Sequence, residues 1–187
     1  MATYHDLQKY YENLKRSYSK SEESYYFNND RSHNAMVMKF ILDHSSNIYM
    51  YCGELSVFRN PFYNYIQEDK DIIKENVIQS FETFLNKEKS NLSIIVENFS
   101  NSIWDDLICK DLFTKKIKEG RIKLYKLDNN FSFKKDINHF CYSDTNIVRF
   151  EVDKNQHNAI CIFHHNNYLD KMEKTFGILH EIAKEVN

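Results

Sequence analysis

Apolar residues recur along this chain at two spacings, three-to-four and two, and the order in which the spacings alternate predicts the elements. Over residues 4–16, Leu7, Tyr11 and Leu14 share one face of a predicted helix. Residues 17–29, rich in Ser, Glu, Tyr and Asn, break the pattern and read as a mobile connection, so 1–31 is expected to be a helix and linker appended to a core. A second helix is expected from an N-cap at Ser32 through Met36, Phe40 and Ile41 to about His44. The β-branched and aromatic run 47–53 ends at a glycine and reads as a strand. Ile73, Val77, Phe81, Phe84 and Leu85 mark a helix over 71–88, and the apolar run 92–97 suits a central parallel strand. A helix over 102–119, with Trp104, Leu107, Ile108, Leu112 and Ile117 inward, is expected to stop at Gly120, followed by a strand over 121–127.

Further on the rhythm changes. Strands at about 138–143, 146–152 and 158–163 follow one another with no helical pattern between them, and a long amphipathic helix carrying Leu169, Met172, Phe176, Leu179, Ala183 and Val186 closes the chain. Three helix–strand alternations, then hairpins, then a helix predict a single α/β domain over 1–187, with a mixed, mainly parallel central sheet flanked by helices.

Composition narrows the function classes. With 187 residues, 42% of them hydrophobic and 15% aromatic, the chain can bury one good core. Its formal net charge of -2 gives no long-range attraction to a phosphate backbone, which leaves nucleic acid a weakly supported partner. Cys52, Cys109, Cys141 and Cys161 lie far apart without a C-x-x-C pair, so they read as reduced thiols and signal neither zinc nor a disulfide scaffold. No stretch has the length of a membrane span and the N-terminus does not resemble a signal peptide, so a cytoplasmic protein with no cofactor is expected. Asn, Lys, Ile, Tyr and Phe approach half of the residues, the skew of an A+T-rich genome such as a low-GC bacterium or a phage.

The segment with the most chemical interest is His139-Phe-Cys-Tyr-Ser-Asp-Thr-Asn146, followed by Ile147-Val-Arg-Phe-Glu151. Together with the order of elements over roughly residues 32–186, it resembles one half of the phospholipase D superfamily, whose members carry an H-x-K-x4-D motif on the strands after the third helix–strand unit. In that family the histidine is the phosphoryl-accepting nucleophile, the lysine neutralises the phosphate, the aspartate balances a histidine, and two motifs meet across a twofold axis. The resemblance puts His139 at the histidine position, Cys141 at the lysine position and Asn146 at the aspartate position. None of the eight histidines is followed two residues later by lysine, and Phe163-His-His-Asn166 stands where a Gly-Ser-x-Asn element would fall. It therefore implies a degenerate site and a homodimer.

A phosphoryl transition state needs cationic or hydrogen-bonding groups already in place, and cysteine supplies neither. Replacing Asp by Asn also removes the charge that would favour a protonated imidazole. The remaining candidates are His139, Asn146, Arg149 and Glu151 for binding, with Arg149 and Glu151 on one strand face by alternation. Cys141, His139 and Asp144 have the residue types of a thiol nucleophile, base and orienter, but Asp144 falls in the turn. His164 and His165, with Asn166 and Asp170, have metal-ligand types, yet adjacent histidines on an extended segment point apart; a polar cap with Asn166 or Asn167 at the helix start is the simpler reading. The aromatic-rich 58–65 segment, which holds the single proline, reads as a shaped loop over the sheet edge.

The expected function is a non-catalytic phospholipase D-like binding or regulatory protein, recognising a protein partner or a small phosphorylated ligand. Phage–host conflict, as inhibitor, sensor or accessory subunit, fits the composition. The alternatives are a divergent dimeric phosphodiesterase or nuclease using His139, with Arg149 as cation and Glu151 or Asp144 as orienting carboxylate, and an unrelated α/β interaction module. Parallel strands at 47–53, 92–97 and 121–127 would support the resemblance.

Overall fold

The structure, a computed structural model, describes residues 3–28, 30–67, 69–128, 131, 136–153 and 158–186. Helix α1 (Tyr4–Ser19) opens with a reciprocal cap, in which Thr3 Oγ1 accepts from the Asp6 backbone N–H and the Asp6 carboxylate accepts from that of Thr3. It buries Leu7 and Leu14. Strand β1 (Ser24–Asn28) follows, so much of the segment read as a connection is an edge strand, held by its pairing to a late strand of the same sheet. Sequence pattern misses it because a five-residue edge strand with two polar ends carries almost no periodic signal.

Helix α2 (Arg31–His44) is capped by Asp30, which accepts from His33 N at 2.8 Å, two residues ahead of the expected Ser32. It leads into β2 (Asn47–Cys52), a short 3-10 turn at Ser56–Phe58 and the one-turn α3 (Asn60–Tyr63), whose first turn holds Pro61. Then come α4 (Lys70–Asn86), β3 (Asn91–Val96), a second 3-10 turn at Asn101–Asp105, α5 (Lys110–Lys118) and β4 (Ile122–Lys126). The helix expected over 102–119 is thus confined to its second half. Cys109 at φ 54° is left-handed and cannot continue a helix, so Trp104 and Leu107 reach the core from irregular backbone. Gly120, at φ 70°, ends α5 as expected, donating its N–H to Ile117 O.

The last third comprises β5 (Phe140–Ser143), β6 (Ile147–Asp153), β7 (Asn158–Phe163), α6 (Asn166–Ile182, preceded by His165 at the cap) and the two-residue β8 (Lys184–Glu185). The eight strands form one sheet in the order β1-β7-β6-β5-β2-β3-β4-β8. Strands β2, β3 and β4 are parallel, joined through helices, and every other pairing is antiparallel. The sheet is therefore mixed but not mainly parallel. The β5–β6 connection is a turn too short for a crossover, and parallel neighbours need a crossover of a dozen or more residues.

Two apolar layers sandwich the sheet. On one side α1, α2, α4 and α5 bury Leu14, Val37, Phe40, Phe81, Phe84 and Phe113 against the strands. On the other, α6 brings Met172, Phe176 and Leu179 onto Tyr51, Phe140 and Tyr142. Among the described residues no helix is long and apolar enough to cross a membrane. Because Leu7 and Leu14 are 1% and 0% exposed, Leu7→Ala and Leu14→Ala are each expected to cost about 2–5 kcal/mol of unfolding free energy. Urea denaturation measures the loss, and a change below 0.5 kcal/mol, the size typical of a surface substitution, would show that α1 does not share the core.

Candidate functional site

Three strand ends meet where the chain reverses its direction of travel across the sheet. From β2 the chain proceeds outward to β3 and β4, then returns to place β5 on the other flank of β2. In mixed and parallel sheets such a switch point leaves a crevice at the carboxyl ends of the strands. Register puts Cys52 beside Val96, and Tyr51 beside Phe140. The residues just beyond those pairs are Gly53, Glu97 and, on the antiparallel β5, His139. Backbone bonds fix them: Glu97 N donates to Cys52 O at 2.8 Å, and Glu151 N donates to His139 O at 2.9 Å.

His139 is held from both ends of its ring. Nδ1 lies 2.6 Å from Glu151 Oε2, and Nε2 lies 2.9 Å from Glu97 Oε2. A neutral imidazole carries one N–H, so two hydrogen bonds to two carboxylates require one further proton among the three groups. Both carboxylates are buried, Glu97 at 8% and Glu151 at 5% exposure, and each has further support. Tyr51 Oη donates to Glu97 Oε2 at 3.0 Å, and Arg149 Nη2 lies 3.5 Å from Glu151 Oε1. Burial, then the adjacent Glu97 charge, raises the Tyr51 phenol far above its ordinary value, which keeps it a donor.

Arg149 is itself positioned from α2. Its Nε and Nη2 donate to Asn34 Oδ1 at 3.1 and 2.8 Å, and Asn28 Nδ2 on β1 donates to the same oxygen at 2.6 Å. A continuous polar chain thus runs Asn28–Asn34–Arg149–Glu151–His139–Glu97–Tyr51 through an otherwise apolar interior. Gly53 packs closely on the ring: a Cβ there would stand 3.1 Å from His139 Cε1, so the imidazole would have to give by a few tenths of an ångström to admit a side chain.

Of the residues expected from sequence, His139, Arg149 and Glu151 come together, with Glu151 buried and Arg149 half-buried at the cavity wall. Asn146 does not join them. It occupies the turn at the far end of the β5–β6 hairpin, at φ 55°, with Nδ2 donating to Asn166 Oδ1 at 2.8 Å. Asp144 also sits at that far end, accepting from Ser46 N and Asn47 Nδ2, both at 3.0 Å, so it orients neither Cys141 nor His139. Cys141 shares the face of His139, but it is 1% exposed and burial pushes its thiol up to about 12, which leaves it a poor nucleophile. His164 Nε2 bonds Tyr18 O at 2.8 Å, whereas His165 lies 3.8 Å from Glu23. Among the described residues no group of three or more His, Cys, Asp or Glu is arranged to hold a metal ion.

Glu97, Tyr51 and Asn34 escape the sequence reading. Glu97 left one signal, a charge terminating the apolar run of β3 at its carboxyl end, and Asn34 left another, an amide amid the buried residues of α2. Beside the chain of polar groups opens a cavity of about 400 Å³, lined by His139, Glu151, Arg149, Arg31, Arg59 and Tyr65 together with apolar residues of α2, β2 and α3.

No family model and no curated protein matches the sequence. Solved structures do resemble the fold. TrmBL2, described as an archaeal chromatin protein with a novel mode of DNA binding, superposes with a TM-score of 0.58 at 15% identity over 96% of this chain, which spans 62% of the length of that one. Nuc from Salmonella typhimurium, a phospholipase D family member, gives 0.57 at 11% identity over 89% of this chain and 99% of its own. NucT from Helicobacter pylori gives 0.53 at 10% identity over 88% and 99%. The chain has a phospholipase D-like fold.

The enclosed ring makes a stability prediction. His139→Ala leaves two buried carboxylates without their common partner and is expected to cost about 3–5 kcal/mol. Glu97→Gln keeps an acceptor for both Tyr51 and His139 and is expected to cost only about 1–2 kcal/mol. Chemical denaturation of the two variants reads the difference, and equal losses would contradict the clamped geometry.

Proposed function

We propose that this chain is a non-catalytic member of the phospholipase D-like fold, a binding or regulatory protein that takes a small ligand at the His139 cavity and does not turn it over. The observation that carries this reading is the double engagement of His139. A nucleophilic imidazole must aim a nitrogen lone pair at phosphorus, and here both nitrogens face carboxylate oxygens within 3 Å. Glu97, on the Nε2 side, would also repel the non-bridging oxygens of an incoming phosphodiester. The position that the resemblance gives to the phosphate-neutralising lysine is Cys141, buried and without charge. The site is thus degenerate in this reading.

A small ligand is favoured over nucleic acid because the formal charge of -2 offers a phosphate backbone no general attraction. The DNA binding named for TrmBL2 belongs to that protein, whose chain is longer than this one. Pairing of two copies and a role in phage–host conflict are part of the same reading, drawn from the resemblance and from the composition.

The competing reading is a phosphodiesterase using His139, with Arg149 as its cation, and an assay separates the two. Purified protein is expected to release no 4-nitrophenolate from bis(4-nitrophenyl) phosphate and to leave single-stranded DNA intact. Hydrolysis of either substrate that disappears in His139→Ala would overturn the binding reading.

A further inference from the structure

The two faces of the sheet are covered unequally. Four helices pack on one face, whereas among the described residues a single helix, α6, packs on the other. A helix about 10 Å wide spans only two or three strands spaced about 4.8 Å apart. Cross-strand register shows where the cover ends. One row of side chains runs Phe140–Phe150–Ile160–Phe27 across β5, β6, β7 and β1, and a second runs Tyr142–Val148–Ile162–Tyr25. Phe140 and Tyr142 are buried beneath α6, Phe150 and Ile160 are half-buried, and the rows end on β1 with Tyr25 46% and Phe27 65% exposed. The other face of β1 is fixed: Tyr26 Oη donates to Asn13 O at 3.2 Å and Asn28 Nδ2 donates to Asn34 Oδ1 at 2.6 Å, so the strand cannot turn its exposed rings inward.

This strand is also an unguarded edge. It stands at one end of the sheet, and among the described residues no strand pairs with its outer side, so the backbone N–H and C=O groups there lack a ladder partner. Natural edges are blunted by charge, proline, a bulge or shortness. The opposite edge follows that rule, since β8 has only Lys184 and Glu185, both exposed. In contrast β1 is Ser24-Tyr-Tyr-Phe-Asn28, without charge or proline and with an unbroken register to β7.

We propose that β1 pairs antiparallel with β1 of a second copy about a twofold axis at Tyr26, joining the two sheets edge to edge. Tyr25 then stands opposite the partner's Phe27, and Phe27 opposite the partner's Tyr25, so each aromatic row of one copy continues into a row of the other. An uncharged edge meets an uncharged edge, and no charge is buried within the ladder. Just past its end the register brings Glu22 level with the partner's Asp30, a carboxylate turned onto its own helix, where Asp30 accepts from His33 N at 2.8 Å. Association stops at two copies because the pairing consumes both β1 edges and leaves only the blunted β8 ends. The exposed parts of the four rings come to on the order of 400 Å², well short of the roughly 1,200 Å² of a stable specific interface, so this dimer dissociates on dilution. Strands β7 and β6 separate β1 from β5 and the His139 site, so the interface goes beyond the ligand reading and the two can fail separately.

The experiment has two arms. Sedimentation equilibrium of the unmodified chain, from low micromolar to half-millimolar concentration, is expected to show a reversible monomer–dimer equilibrium. Phe27→Lys, at an exposed position outside the core, is expected to weaken that association at least ten-fold. Oxidative cross-linking then reads the register: an equal mixture of Tyr25→Cys and Phe27→Cys chains is expected to form disulfide dimers at least three-fold faster than either variant alone, because only the mixed pair stands directly opposite. A monomer at every concentration would leave this edge to a different chain and overturn the proposal. So would oligomers larger than two, a dimer indifferent to Phe27→Lys, or cross-linking no faster in the mixture than in either single variant.

Discussion

The site depends on one constraint: a single imidazole shared by two buried carboxylates that arrive from different strands. Neither Glu97 nor Glu151 is tolerable in the interior alone, since an unpaired buried carboxylate costs several kcal/mol. Each needs His139, and each needs a second donor, Tyr51 for one and Arg149 for the other. Arg149 in turn needs the amide of Asn34, which is braced by Asn28. The requirement therefore propagates from the middle of the sheet to its edge strand and to the first turn of α2. It also explains why the edge strand must pair closely with β7, where Asn28 lies opposite Ala159 and brings its amide to bear on Asn34.

A shared fold leaves the chemistry of the site open, because chemistry lives in the side chains that stand at each place on the scaffold. The phospholipase D-like sheet delivers a histidine to the crevice at the carboxyl ends of β2 and β3. What this chain builds around it is a network of hydrogen bonds in which the ring bridges two carboxylates. The cations Arg31, Arg59 and Arg149 line the neighbouring cavity, Arg59 held by Glu54 and Asp106 and Arg149 by Asn34 and Glu151. On this sequence the crevice forms one wall of the cavity of about 400 Å³ beside His139.

Much of the fold was legible in the sequence because its strongest signals are periodic. The apolar stripes of α4 and α6 each bury one face against the sheet, the runs of β2 and β3 are covered on both faces, and the helical crossovers between β2, β3 and β4 force those strands parallel. What escaped was aperiodic. The short β1 is held by partners more than a hundred residues away, and the left-handed Cys109 cuts the expected helix to its second half. The site was half legible for the same reason. His139, Arg149 and Glu151 lie on neighbouring strands within thirteen residues of sequence, so alternation brings them to one face. Glu97 lies forty-two residues before His139, and only the β2–β3 and β2–β5 registers bring them together. Asn146, chosen by its spacing from His139, sits at the opposite end of the hairpin because a strand of four residues and a turn separate them.

The most direct test of the central claim is intact-protein mass spectrometry during incubation with bis(4-nitrophenyl) phosphate. An acting nucleophile would form an N–P bond at His139 and expel 4-nitrophenolate. With both ring nitrogens committed to Glu97 and Glu151, the mass is predicted to stay that of the unmodified chain. A 4-nitrophenyl phosphoryl adduct that maps to His139 would contradict the account.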